Sequence, residues 1–214
     1  MHALASTPRP SALIFDFGGV LLDWNPRYLY RKLFPNDEQA MECFLAEIDF
    51  FKWNQQQDTG RPFSVGVAEL CARHPQYCDL IRAYDERFLE SLQGPIHGTV
   101  DILRSLWTLG FPLYGLSNWP AEKFQLVRPI YDFFNWFQVI LISGEIGIAK
   151  PDPRIFQMLL EKVGQPAYEC LLIDDSPANI VSAQELGFQV IQFQSPLQLE
   201  GELATRGLLT QRKT

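Results

Sequence analysis

Histidine is nearly absent from this chain: His2, His74 and His97 are the three in 214 residues. A histidine-based triad would have to use His74 or His97. Neither stands near a Gly-x-Ser-x-Gly nucleophile elbow, a motif the chain does not contain. Cysteine is sparse too. Cys43, Cys71, Cys78 and Cys170 make no Cys-x-x-Cys pair, and the loose grouping of Cys71, His74 and Cys78 matches no common zinc spacing. The reading is four free thiols in a reducing cytoplasm. Positive charge is short: 18 Lys and Arg face 25 Asp and Glu, for a formal net charge of −7. No basic face for nucleic acid is expected, and the Arg212-Lys213 pair reads as a solvated tail. No stretch approaches the roughly 18 uninterrupted apolar residues of a membrane span. Residues 1–10 are polar and proline-containing and lack the apolar core of a signal peptide. What is left is a cytoplasmic globular protein, monomeric or homodimeric, with neither membrane nor nucleic acid as partner.

What the chain does have is a series of short apolar runs. Ala12–Phe17, Pro112–Ser117, Gln138–Ser143, Cys170–Asp174 and Phe188–Phe193 are nearly continuous in hydrophobic residues. That pattern fits strands covered on both faces, as in a parallel sheet. Helical segments separate the last four: Val100–Leu109 before Gly110, Ala121–Phe134 after Pro120, a helix from Asp152-Pro153 to Val163, and one from Ser176-Pro177 to Leu186. Pro at the first helical position and Gly after the last are the expected punctuation. The alternation predicts an α/β fold, a doubly wound parallel Rossmann-like sheet. Between the first and second strands, residues 25–94 show no strand and read as helices, at Pro26–Phe34, Asp37–Ile48, Ser64–Arg73 and Cys78–Gln93. A helical subdomain at 25–94 is thus inserted in a core at 11–24 and 95–200, with flexible tails at 1–10 and 207–214. The aromatics of the insertion are expected to form its own core, with one or two turned to the cleft. Arg61 is expected to be an exposed loop residue, with a substrate's polar end as its alternative contact.

Polar residues sit where the strands stop. The first strand ends on Asp16, followed by Phe17, Gly18 and Gly19. The second ends on Ser117-Asn118, and the fourth on Asp174-Asp175. After the third come Ser143-Gly144-Glu145 and then Lys150-Pro151-Asp152-Pro153. In open α/β sheets ligands bind beyond the carboxyl ends of the strands. If the first and fourth strands are neighbours, Asp16 meets Asp174 and Asp175, and such a cluster calls for a lysine or a divalent cation. Mg²⁺, which takes hard oxygen ligands, is the natural candidate. Asp152 reads as a helix cap and Asp23 as a surface or turn residue.

Phe15-Asp16-Phe17-Gly18-Gly19-Val20, Leu116-Ser117-Asn118, Lys150-Pro151-Asp152-Pro153 and Ile173-Asp174-Asp175-Ser176 together resemble the four ordered motifs of the haloacid dehalogenase superfamily. The helical insertion resembles that superfamily's cap. The Asp-x-Gly-Gly-Val form and Leu21-Leu22-Asp23-Trp24-Asn25-Pro26 resemble its phosphatase-like branch. The resemblance implies a Mg²⁺-dependent phosphatase acting on a small phosphorylated metabolite. Asp16 would be the nucleophile, forming an aspartyl-phosphate. Lys150 would neutralise charge on it and on the transferring group. Ser117 and the backbone around Asn118 would bind phosphoryl oxygens. The Gly18 carbonyl and Asp175 would hold the metal with Asp16, and Asp174 would be a ligand or hold a metal-bound water.

One position departs from the pattern. Many phosphatases of this superfamily carry a second Asp two residues after the nucleophile, to protonate the leaving group. Here that position is Gly18, although the branch includes phosphatases with Gly there. General acid–base catalysis is typically worth about 10²–10⁴-fold, so the proton must come from water, a cap residue or Asp23. A metal-independent 2-haloacid dehalogenase is the alternative, since halide leaves without a proton. A weakly catalytic sensor of a phosphorylated ligand is the third reading.

Overall fold

The computed structural model describes residues 8–210. In chain order the elements are β1 (Ala12–Phe15), β2 (Leu22–Trp24), α1 (Pro26–Leu33), α2 (Glu38–Glu47), α3 (Phe50–Asp58), α4 (Phe63–Arg73), α5 (Cys78–Glu86), β3 (Leu92–Pro95) and α6 (His97–Thr108). There follow β4 (Leu113–Ser117), α7 (Ala121–Val127), β5 (Val139–Ile142), α8 (Ser143–Ile146), α9 (Pro153–Val163), β6 (Cys170–Asp174), α10 (Pro177–Glu185), β7 (Gln189–Gln192) and α11 (Pro196–Thr205). The main sheet is parallel, in the order β5-β4-β1-β6-β7. β1 is central and all four of its residues are buried, which is why the run carries no polar residue until it ends.

Successive β1 side chains point to opposite faces of the sheet. Leu13 and Phe15 join one apolar cluster, with Leu103 of α6, Phe124 of α7 and Leu199 of α11. Ala12 and Ile14 join the other, with Phe156 and Leu159 of α9 and Ala183 of α10. Helices therefore cover both faces, and the sheet is doubly wound. The first cluster continues into the insertion through Tyr30, Phe44, Phe50, Trp53, Phe63, Tyr84 and Phe88. Most of its aromatics are core, as expected.

The insertion differs from the reading in three ways. It is bounded by a two-stranded antiparallel ribbon, β2 with β3, in which Leu22 pairs with Pro95 and Trp24 with Leu92. The expected helix over Cys78–Gln93 therefore stops at Glu86. A short 3₁₀ turn (Phe88–Ser91) then leads into β3. The chain also forms α3, which the apolar pattern did not announce: its buried face alternates Phe50 and Trp53 with Asn54 and Gln57. Two polar residues on the inward stripe erase the amphipathic signal. Arg61 is not a loop residue free in solvent. It donates to Gln57 and pairs with Glu69 at 2.7 Å.

Other expectations need correction. Cys71 and Cys78 are joined in a disulfide, because the His74-Pro75 turn folds α4 back towards α5. Free thiols remain only at Cys43 and Cys170. The helix from Ala121 ends at Val127 rather than Phe134, because Pro129 cannot continue it and two 3₁₀ turns follow. Ser143-Gly144-Glu145, after the third strand, begins the short helix α8. Of the expected tails, the parts within the described residues are held. Pro8 accepts from Gln189, Arg9 lies over the Phe111 ring, and Leu208 is buried against the core. His2 and residues 211–214 lie outside the described residues. Among the described residues no helix is long and apolar enough to cross a membrane.

Candidate active site

Register brings the strand-end polar residues together. Phe15 pairs with Gly115 of β4 and Ile173 of β6, so the next residue, Asp16, emerges beside Ser117 and Asp174. Asp16 then turns out of the sheet. Its Oδ1 accepts from the Phe17 amide at 2.7 Å and from the Ser117 hydroxyl at 2.7 Å. Lys150 Nζ lies 2.9 Å from its Oδ2.

Lys150 is wholly buried and fully used. Its three N–H groups meet Asp16, Asp174 Oδ2 at 2.6 Å and the Leu116 carbonyl at 2.7 Å. The loop that carries it is clamped by Asn118. Asn118 Oδ1 accepts from the Lys150 amide, and its Nδ2 donates to the Lys150 carbonyl, both at 2.8 Å. The Lys150–Pro151 bond beyond is cis. The Asn118 side chain is thus committed to placing Lys150.

Asp174 and Asp175 are adjacent but different. Asp174 is fully buried, and both oxygens are engaged, by Lys150, the Ser176 amide and Asn179 Nδ2. Asn179, which the sequence reading passed over, sits in the first turn of α10, five residues after Asp174. Ser176 precedes α10, where a side-chain cap is common. Instead its N–H satisfies Asp174, and its hydroxyl makes no cap bond. Asp175 is exposed and open. Asp16, Asp174 and Asp175 each place one carboxylate oxygen so that all three lie within 4.8 Å of one another.

Three carboxylates against one ammonium leave an excess of negative charge. Burial pushes the Asp16 carboxyl up to about 7; Lys150 opposes this, and Asp174 and Asp175 add to it. Asp175, although its side chain reaches solvent, is also raised, by partial desolvation against the site and then by the charge of Asp174. The donor set, all hard oxygen with an unbalanced charge, fits a divalent cation such as Mg²⁺. The backbone fits as well. A Cβ at Gly19, where φ is +75°, would stand 2.5 Å from Asp175 Oδ2, so glycine lets the turn after β1 close onto that carboxylate.

Between the insertion and the core lies an open cleft of about 230 Å³, which reaches the chain just beyond Asp16 and Ser117 at Gly18 and Asn118. Gly18, Asn118, Trp119 and Pro120 line it from the core; Trp24, Phe51, Asn54, Asp58, Tyr84 and Phe88 line it from the ribbon and insertion. Trp119 Nε1–H is buried with no partner in the protein. Asp23 does not reach the cleft lining; both its oxygens accept from Tyr28.

The four motifs, the sheet order and the acidic cluster can now be set beside known proteins. The family model described as haloacid dehalogenase-like hydrolase matches residues 10–187. The chain belongs to this family. This haloacid dehalogenase-like hydrolase has phosphatases among its relatives. It is 25% identical over 187 residues to the sesquiterpene phosphatase astK of Aspergillus oryzae, covering 82% of this chain and 86% of that one. It is 21% identical over 183 residues to the phosphorylated carbohydrates phosphatase of Thermotoga maritima, covering 84% and 83%. Among solved structures, a magnesium complex of a HAD family enzyme from Bacteroides thetaiotaomicron superposes with a TM-score of 0.69 at 23% identity, covering 88% of this chain and 95% of that one. These likenesses support the phosphatase branch and the Rossmann-like core.

Stability should report the buried acids. Asp16 and Asp58 are both raised to about 7, Asp58 chiefly by burial. The folded protein therefore holds protons there at pH values where the unfolded chain has released them. Stability from these groups is full below about pH 4 and is lost as pH rises through about 7. The opposing contribution of Glu90, held at about 2 by Arg87 and Lys32, is complete by about pH 5. Urea unfolding in EDTA should therefore show stability falling between about pH 5 and pH 7.5. A flat or rising profile there contradicts the raised pKa of these two carboxyls.

Proposed function

We propose that this hydrolase is a Mg²⁺-dependent phosphatase that cleaves small phosphomonoesters through an aspartyl-phosphate on Asp16. The observation that carries the reading is the contact set of Asp16. A carboxylate at the end of the central strand is touched by a lysine and a serine and shares its surroundings with two more acids. Asp16, Asp175 and the Gly18 carbonyl would hold Mg²⁺. Asp174, with both oxygens engaged, would orient Lys150 and a metal-bound water. Mg²⁺ when bound supplies positive charge for the phosphoryl oxygens and lowers the cost of an ionised Asp16.

The chain's own groups do the rest. The Asp16 carboxylate is aimed by the Phe17 amide and Ser117, so it approaches phosphorus in one orientation. Lys150 is already in place and stabilises charge without reorganising. Ser117 and the backbone at Asn118 would receive phosphoryl oxygens. The organic part would pack among Trp24, Phe51 and Phe88, which line the cleft.

Gly18 favours the rival dehalogenase, which needs no acid. The uncompensated charge of Asp16, Asp174 and Asp175 disfavours it, because a haloacid carboxylate would be repelled without a cation. The test is phosphate release across a panel of phosphomonoesters with Mg²⁺ and with EDTA. Metal-dependent turnover is expected. Saturating Mg²⁺ alone should also stabilise the protein at pH 8, by about 3 kcal/mol at a hundredfold excess over Kd. Metal-free halide release from 2-chloropropionate, with no phosphate release, would install the dehalogenase. Tight phosphoester binding without turnover would install the sensor.

A further inference from the structure

The missing side chain at Gly18 leaves a space that the structure describes. A Cβ there would meet no atom within 4 Å, and Gly18 lines the cleft. One carboxyl lines the same cleft from the insertion: Asp58, the last residue of α3. We propose that Asp58 is the general acid and base of the reaction, supplying from the insertion the proton that position 18 cannot. The proposal rests on the phosphatase reading above and extends it.

Three features place Asp58 for this role. The first is anchoring. The chain beyond α3 docks on the core at Gly60, where a Cβ would lie 3.2 Å from the Gly144 carbonyl at the start of α8. Core helix α7 reaches back. Glu122 accepts from the Phe63 amide, and buried Lys123 pairs with Asp85 of α5 while its ammonium lies 4.3 Å from the Phe63 ring centroid. The C-terminal end of α3 is thereby pinned over the strand ends.

The second is its hydrogen bonding. Asn54 Nδ2 donates to both Asp58 oxygens, at 3.3 and 3.5 Å, and Asn54 Oδ1 accepts from the buried Tyr84 hydroxyl at 3.2 Å. This chain turns the carboxyl without supplying a cation. No salt bridge to Asp58 exists among the described residues. The third is its electrostatic setting at the C-terminal, negative end of a helix, which disfavours a second negative charge. Burial, then the charge of Asp16, hold its carboxyl up to about 7, against the Asn54 hydrogen bond. The titratable groups acting on it are Asp16 from the turn after β1 and Tyr84 from α5. Asp23 offers no competing source, since it faces Tyr28 and lies off the cleft.

The step balances. An Asp16 oxygen forms a bond to phosphorus as the ester P–O bond breaks. The departing oxygen keeps that electron pair and takes the proton of the Asp58 carboxyl, so the alcohol leaves neutral. Water then attacks the aspartyl-phosphate and loses its proton to the Asp58 carboxylate. Inorganic phosphate, the Asp16 carboxylate and protonated Asp58 result.

Phenyl phosphate and 4-nitrophenyl phosphate test this directly, because they differ little in shape and much in leaving-group basicity. Asp58→Asn keeps an acceptor for Asn54 and loses the acid. It should lower kcat/KM for phenyl phosphate about 10²-fold or more while leaving 4-nitrophenyl phosphate within about threefold. The limb of the pH profile assigned to the acid should vanish for phenyl phosphate. Asp58→Glu, which retains an acid, should recover part of the phenyl phosphate activity. Equal loss on both esters, or no loss on either, would overturn the role of Asp58 and leave the phosphatase standing. No turnover of either ester by the unmodified enzyme would overturn the phosphatase reading itself.

Discussion

Replacing Asp16 by Asn is expected to lower phosphate release by at least about 10⁴-fold, the scale of losing a nucleophile. The reason is chemical rather than steric. An amide cannot form the acyl-phosphate, yet Asn keeps an oxygen that can accept from the Phe17 amide and the Ser117 hydroxyl, as Oδ1 now does. Lys150 loses one of its three partners and keeps Asp174 and the Leu116 carbonyl. The substitution also removes an acid that burial and two neighbouring carboxylates hold up at about 7. At pH 8 and without metal, Asp16→Asn should therefore melt no lower than the unmodified protein, so lost activity cannot be ascribed to lost structure. Acid-quenched turnover mixtures of the unmodified enzyme should contain a phosphorylated peptide that includes Asp16. Retained turnover in the variant, with no such peptide, would move the nucleophile elsewhere.

Lys150→Met should damage both activity and stability. Lys150 is the only cation paired with this cluster among the described residues, and it contacts Asp16 and Asp174 at once. Methionine keeps much of the volume and none of the charge, which leaves the buried carboxylates uncompensated. Breaking a buried pair in this way costs about 3–5 kcal/mol, or a fall in Tm of about 10 °C for a chain of this size. Loss of the preorganised ammonium should also lower kcat/KM about 10²–10³-fold. Acid should close the stability gap. Without Lys150 the carboxyls hold their protons to higher pH, so the difference from the unmodified protein should shrink as pH falls from 8 to 5. Urea unfolding at both pH values checks this. A variant as stable as the parent at pH 8 would mean that the ion pairs contribute nothing net.

Different parts of the molecule were legible to different degrees. The five strands of the main sheet could be read because central parallel strands are covered on both faces and need continuous apolar runs. The clustering of polar strand ends could be read in part because strands that stop on Asp16, Ser117 and Asp174 put polar groups at one edge of such a sheet. The helix α3 could not. Asn54 and Gln57 lie on its inward stripe, serving Asp58 and the Trp53 carbonyl rather than filling space. The β2–β3 ribbon was invisible for another reason: each strand is three or four residues long, and its pairing spans the whole insertion.

The disulfide between Cys71 and Cys78 turned on a fold-back at His74-Pro75 that spacing alone does not specify. The division of labour between Asp174 and Asp175 was equally hidden, since adjacent acids look alike until Lys150, Ser176 and Asn179 are seen to occupy one of them.

By itself, then, the order of residues determined the architecture and the acidic, lysine-bearing strand ends, because periodicity and element boundaries are local properties of the chain. Only the tertiary structure decided which of those groups touch, and which carboxyl shares a cleft with Gly18. Asp58 lies 42 positions beyond Asp16 in the chain, at the end of a helix whose pattern is masked. It faces the cleft because the insertion folds back and is pinned there by Lys123 and Asp85. A contact of that kind is set by packing between two layers, which no local pattern encodes.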